Sequence, residues 1–431
     1  MPSDHSPSSL SGRLQAADSP ILRGVALAFF VGYFAFFWLA STSRLYNPDL
    51  AQDSLANDYL QEFIGGYIIR AGDRSRFYDQ VYVQELEHDP QVVGFRWTPG
   101  GYLPMIYPPF YYLLVTPLAL LPIRTGAAVW LVVLAAAWVG ALSVLARRFP
   151  GRAVLVWAMP LGLLFLPMQE TVASGQKGTV LLLILTGTYV LLDRGRPITA
   201  GLVFGLLTFK PHLALVIGLA LLCKRQWRFA AGSVLTTGVF VGLCFVVGAD
   251  VCRQYVVYVR SLTEYVNAPA YPLPRMHSWY GFLRLLLPAQ DLTAVQALAL
   301  TANGLTVALL AWLLRGPLAF GQPRFALQFA GLIVGTILLS PHLLTYDLVL
   351  LLLPLALIVL NPTGPGRIDP RIAWPALALY VLAGFSADVA AQTGVQISVV
   401  LMLALLAVLA WATPRESAPT ALAAPQAEMA E

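Results

Sequence analysis

The chemistry of this chain is sought first in an acidic stretch that follows the first apolar run and in basic residues set within or beside later ones. From Asn57 to Ala71 the spacing of Tyr59, Phe63 and Tyr67 is helical, the pattern of a helix lying along a membrane surface. Asp58 at its start, with Glu62 one turn further, is suited to take a proton from an attacking hydroxyl. Nine acids share the segment 41–106 (Asp49, Asp53, Asp58, Glu62, Asp73, Asp79, Glu85, Glu87 and Asp89), and most of them are needed simply to solvate it. The run Glu85-Leu86-Glu87-His88-Asp89 is likewise expected to be a solvated charge run, not a metal site.

Lys210 supplies the opposite charge. It falls after roughly twelve helical residues, about 18 Å from the inner surface, in a hydrocarbon core about 30 Å thick. Ionisable groups at that depth are functional candidates by default. Pro211 breaks the helix and restarts it at its first position, so free N–H groups and a positive dipole end meet at the lysine, an anion site. The competing explanation is a snorkelling or structurally paired lysine. Pro341-His342 repeats the device, with His342 a donor to phosphate, a proton relay or a structural histidine. Asp347, one turn on, is expected to pair with Lys210 or an arginine.

These residues need a scaffold, and composition says where it sits. Of 431 residues, 58% are hydrophobic and only 11% charged, more apolar surface than a water-soluble fold can bury. The sequence predicts an all-α polytopic membrane protein with crossings near 21–40, 126–146, 153–168, 178–192, 198–209, 211–223, 229–248, 291–314, 325–340, 344–360, 372–388 and 393–412, about twelve in all. The basic loops at Arg147, Arg194, Lys224, Arg315 and Arg367 then share one side, which makes both termini cytoplasmic. Counting 107–122 as a crossing would invert every later loop, so it is expected to be re-entrant or interface-lying. Residues 1–20 and 413–431 read as a disordered lead and tail around a single transmembrane domain, 21–412. Two long polar loops, 41–106 and 249–290, fall on the outer face. The aromatics there, among them Trp97, Tyr107, Tyr111 and Tyr280, are expected to form an interface belt.

Several classes drop out. The net charge of +5 is scattered between apolar runs, which gives nucleic acid no patch to bind. Cys223, Cys244 and Cys252 make neither a disulfide framework nor a metal site. There is no P-loop and no dinucleotide-binding glycine fingerprint, and no metal or cofactor is expected.

Five segments in order resemble glycosyltransferase family 87, polyprenyl-phosphate-dependent enzymes of the GT-C fold class. They are Asn57-Asp58-Tyr59 through Phe77-Tyr78-Asp79; Tyr107-Pro108-Pro109-Phe110 to Pro122; Ser174-Gly175-Gln176-Lys177-Gly178; Thr208-Phe209-Lys210-Pro211; and Ser340-Pro341-His342 with Tyr346-Asp347. Ser278-Trp279-Tyr280-Gly281 is similar to a further family segment. The resemblance implies a GT-C-like fold with a long first extracytoplasmic loop. It also implies an inverting enzyme that moves a sugar, most commonly mannose, from a polyprenyl-phosphate donor to a hydroxyl of a lipid or glycan acceptor outside the cytosol. In that frame Asp58 is the base, Lys210, His342, Arg275 and His277 are donor-phosphate contacts, and Glu62, Lys177, Gln176 and Asp347 are secondary candidates. Arg275 and His277 could instead contact the acceptor headgroup, and for each of them anchoring the loop at the interface is the better single explanation.

The residues agree with this: an outer-face site has no nucleotide sugars, so a donor must arrive within the membrane. A polyprenyl phosphate is already a tolerable leaving group, so transfer needs one carboxylate where hydrolysis commonly uses two. The alternative is a secondary transporter or lipid-linked-sugar flippase, because broken helices around a mid-membrane lysine also build transport sites. The absence of similar halves weighs against it. A non-catalytic scaffold subunit would leave Lys210 unexplained.

Overall fold

The computed structural model describes residues 20–46, 57–95, 102–150, 153–267, 271–287, 291–318, 320–361 and 368–412. The lead 1–19, the tail 413–431, Asp49, Asp53 and Trp97 lie outside the described residues. Among the described residues the regular structure is helical, with one isolated β-bridge between Met276 and Leu344. Helices α1 (Pro20–Tyr46), α2 (Tyr59–Ala71), α3 (Gln80–His88), α4 (Pro90–Val93) and α5 (Pro109–Val115) come first. Next are α6 (Ile123–Arg148), α7 (Val154–Leu164), α8 (Leu166–Ser174), α9 (Gly178–Asp193), α10 (Pro197–Phe204), α11 (Pro211–Cys223) and α12 (Trp227–Val247). The series ends with α13 (Ala249–Asn267), α14 (Trp279–Leu286), α15 (Leu292–Leu313), α16 (Pro323–Leu339), α17 (Leu352–Leu360), α18 (Pro370–Leu382), α19 (Ser386–Thr393) and α20 (Ile397–Ala412).

Four stretches among the described residues are long and apolar enough to cross a membrane: α6, α12, α15 and the continuous run Pro370–Thr393. The stretch expected to cross at 153–168 is broken into two helices, α7 and α8, which together are long and apolar enough for a span and are bent by 71° at Phe165, just before Pro167 removes a backbone donor. The other apolar helices are shorter, and several begin with proline at their first position, as α10, α11 and α16 do. The chain is a membrane protein whose core sits around α16. That helix is apolar on every side and buried over nearly its whole length, against α15, α17, α20 and the tight 3-10 turn Thr345–Leu351.

Two features position the site. The first is the break between α10 and α11, where Gly205–Phe209 tightens into a 3-10 turn, Lys210 turns extended (φ −124°, ψ 71°) and Pro211 starts the next helix. The second is α2, and here the surface-lying helix expected at 57–71 is corrected. Tyr59, Leu60, Gln61, Glu62, Phe63 and Ile64 are all buried. Gly65 and Gly66 explain the difference: a Cβ on Gly65 would stand 2.1 Å from the Tyr112 ring, and one on Gly66 2.7 Å from Ala119. Without side chains there, α5 and the following turn Thr116–Leu120 close over α2. Tyr107, Phe110, Tyr111 and Tyr112 are accordingly core residues, which corrects the interface belt expected for them. With its 3-10 extension α5 ends at Leu120, too short for the bilayer core. The segment 249–290, expected to be a second polar loop, is largely structured, since α13 spans Ala249–Asn267 and bears an exposed Asp250–Arg253 pair beside exposed Val256, Val257 and Val259.

Candidate active site

Asp58 stands at the N-cap of α2, yet its carboxylate makes no cap bond. Its backbone N–H donates to the Ser174 carbonyl (3.1 Å), and its Oδ2 accepts from the Gln176 amide. The partner is held by the turn between α8 and α9. Gly175 caps α8 in the left-handed region (φ 69°), its carbonyl accepts from the Trp130 indole (2.7 Å), and the Gln176 N–H returns to Thr171 O (2.9 Å). Burial pushes the Asp58 carboxyl above its ordinary pKa, opposed by the Gln176 hydrogen bond and the nearby Lys177 charge.

Glu62 and Lys177 lie behind this contact and do not border the cavity described below. They are a fully buried ion pair (Lys177 Nζ to Glu62 Oε1, 2.5 Å), with the Tyr111 hydroxyl donating to Glu62 (2.8 Å) and Lys177 donating to the Tyr107 hydroxyl (3.0 Å). A carboxylate so engaged ties α2 to the α8–α9 turn, and its pairing explains why a charge is tolerated there.

Asp58, Gln176, Lys210, Arg275 and His342 all line one cavity of about 800 Å³. Lys210 is buried and paired with Asp347 Oδ1 (2.7 Å), its Nζ also 5.6 Å from the Tyr346 ring centre. His342 accepts or donates through Nδ1 to the Tyr271 hydroxyl (2.6 Å). Burial lowers its pKa to about 4, so at neutral pH it offers a hydrogen bond and no charge. Arg275 forms an ion pair with Glu170 at the cavity's edge. His277 is elsewhere: its ring nitrogens meet the Ser398 hydroxyl (2.7 Å) and the Thr345 hydroxyl (3.0 Å), and its N–H donates to Leu343 O (2.8 Å). Burial lowers its pKa to about 3, which keeps the ring neutral. It stitches the 271–278 segment to the turn after α16 and has no ring nitrogen left for a phosphate.

Sequence reasoning missed Gln61, His212 and Asn303, polar cavity residues whose type and spacing carry no signal until α2, α11 and α15 converge, and it noted Asn57 only as part of the Asn57-Asp58-Tyr59 segment. It also expected Glu87 to be solvated. The structure buries it completely, with Oε2 accepting from the N–H of Leu103, a cavity-wall residue (3.2 Å), and burial raises its pKa to about 8. Among the described residues no cluster could hold a metal ion.

Away from these polar groups the cavity runs along apolar side chains: Val259, Leu262 and Val266 of α13, Ala299 and Leu300 of α15, and Leu338 and Leu339 of α16. An all-helical membrane protein with a carboxylate and a lysine on one polar cavity, continuous with apolar walls, has the make-up of an enzyme for amphipathic substrates. The model of glycosyltransferase family 87 matches residues 105–341, more than half of the chain, and the chain belongs to that family. It is a membrane-bound glycosyltransferase. It is similar to the polyprenol-phosphate-mannose-dependent alpha-(1-2)-phosphatidylinositol pentamannoside mannosyltransferase of Mycolicibacterium smegmatis, at 27% identity over 330 residues, 75% of this chain and 74% of the relative. The protein of the same description from Mycobacterium tuberculosis is 27% identical over 245 residues, 54% of this chain and 55% of the relative. No solved structure matches.

Proposed function

We propose that this transferase moves mannose, with inversion, from a polyprenyl-phosphate carrier to a hydroxyl of a lipid or glycan acceptor at the extracytoplasmic face. The carrying observation is that Asp58 and Lys210 border a single cavity that continues along apolar side chains of α13, α15 and α16. The similarity to two polyprenol-phosphate-mannose-dependent enzymes supports the donor. In this scheme the isoprenoid chain lies along α13, α15 and α16, and the phosphate meets Lys210 and His342. Asp58 takes the proton of the acceptor hydroxyl as its oxygen bonds the anomeric carbon. The carbon–oxygen bond to phosphate breaks, and the phosphate leaves with the electron pair. Gln176 orients the base, the Glu62–Lys177 pair fixes its helix, Asp347 holds Lys210, and Arg275 faces the acceptor headgroup.

The twelve-crossing topology, with cytoplasmic termini and an outer site, belongs to the same proposal. Its support is the set of basic ends: α6 finishes in Arg147-Arg148, α9 is followed by Arg194, and α11 by Lys224-Arg225. The test is transfer of label from radiolabelled polyprenyl-phosphate mannose into a membrane lipid extract by the purified protein. Label should enter lipid or glycan, with at least about a tenfold loss for Asp58→Ala and for Lys210→Ala. Unchanged labelling by Asp58→Ala would remove that residue from the site, and translocation without a covalent product would make the chain a transporter.

A further inference from the structure

One helix of the cavity wall also carries a face turned away from it. α13 packs inward through buried Val251 and Tyr258 and through Gln254, which accepts from the Tyr78 N–H (3.3 Å) and donates to Arg74 O (3.2 Å). Tyr255, Val259 and Leu262 border the cavity. There remain Arg253, Val256, Val257 and Arg260, spaced i, i+3, i+4 and i+7 and therefore aligned in one stripe along the helix. All four are exposed, Val256 at 53% and Val257 at 69%. Two valines lie between two arginines.

The helix before it says what surrounds this stripe. α12 is long and apolar enough to cross a membrane, and near its end it exposes Val241, Phe245 and Val246. It stops at Val247, Gly248 leaves the helical region (φ 152°, ψ 139°), and α13 begins at Ala249. With a single residue between them, α13 starts at the level where hydrocarbon gives way to headgroups. Its apolar stripe is continuous there with the lipid-facing side of α12, and a helix with this division of apolar and basic groups lies in the plane of the interface. Arginine stems can rest on apolar surface while their heads reach phosphate oxygens. Asp250 is the one acid among the described side chains of α13, and its ion pair with Arg253 is 80% exposed on both sides, a contact that water screens and that leaves the guanidinium available.

We infer that α13 is a docking helix for anionic phospholipid, with Val256 and Val257 entering the acyl boundary while Arg253 and Arg260 each hold a headgroup phosphate. The inference rests on the membrane assignment and is independent of the transferase proposal. Since Tyr255, Val259 and Leu262 ride on the same helix, the depth at which lipid holds α13 is also the depth of that cavity wall.

The experiment uses the full-length chain in vesicles of phosphatidylcholine and phosphatidylglycerol. Val257→Cys, with Cys223→Ser, Cys244→Ser and Cys252→Ser, carries a nitrobenzoxadiazole fluorophore, and either lipid carries a nitroxide high on its acyl chain. At equal mole fraction, nitroxide phosphatidylglycerol should quench at least about twofold more strongly than nitroxide phosphatidylcholine. Arg253→Gln with Arg260→Gln should bring the two to equality, and about 0.5 M salt should shrink the difference. Equal quenching by both lipids in the parent chain overturns the inference, as does a preference that survives the double substitution. Quenching by aqueous iodide with none from either lipid would place the stripe in water and overturn it too. Mass spectrometry of the intact protein with its native cysteines gives a second reading: the double substitution should lower bound phosphatidylglycerol relative to wild type, and equal retention counts against the inference.

Discussion

At the residue scale, the site depends on what burial does to acids. Asp58 is held above the ordinary carboxylate range by desolvation, and a base works only when ionised. The acid limb of kcat/KM should therefore begin nearer neutrality than the value of about 3.9 for a free aspartate, with activity falling as pH falls through the raised pKa. Asp58→Asn should abolish that limb along with at least about a hundredfold of the rate, while thermal stability in detergent stays close to wild type. Glu87 gives a stability test. Its folded carboxyl keeps a proton up to about pH 8, whereas an unfolded glutamate releases it near about 4.3. The stability from this group is whole below the unfolded value and is lost as pH rises toward 8. Glu87→Gln preserves an oxygen for the Leu103 N–H and should melt like wild type at pH 4 but a few degrees higher at pH 8.5. Asp58 was picked out in the sequence by the family resemblance and Lys210 by its depth within an apolar run, and the structure sets both on one cavity. The burial of Glu87 was not legible, because four polar or charged residues around a single leucine give no sign that the third member of Glu85-Leu86-Glu87-His88-Asp89 turns inward.

At the element scale, the break at Lys210 and Pro211 was readable because proline at a helix start is a local signal, and Lys210 is indeed the residue between the 3-10 turn and α11. The placement of α2 was not, because the same Tyr59, Phe63 and Tyr67 spacing suits a lipid-facing or a protein-facing helix. Only Gly65 and Gly66 decide, through partners distant in sequence. The Lys210–Asp347 pair joins the break to the turn after α16. Lys210→Met leaves a buried carboxylate uncompensated and should cost about 3–5 kcal/mol, whereas Lys210→Met with Asp347→Leu should recover most of that stability. Thermal denaturation of the two variants checks this. Donor turnover should stay low in both, which separates the lysine's structural share from its part in binding.

At the scale of the whole molecule, composition alone placed the chain in the membrane, and the family match and the apolar helices agree. The number of crossings was less legible because helices such as α9, α11 and α20 fall short of the length that hydropathy recognises, so parity rests on the arginine-bearing ends. A reporter fused after Glu431 should be active only in the cytoplasm. Activity outside the cell would invert the proposed orientation. The neutralised lysine has a consequence for occupancy. In the proposed scheme a headgroup anion would share Lys210 with Asp347, so much of its retention would fall to the apolar side chains of α13, α15 and α16. At about 0.8 kcal/mol for each buried methylene, carriers clipped to one or two isoprene units would dissociate orders of magnitude faster than full-length ones, however intact their sugar.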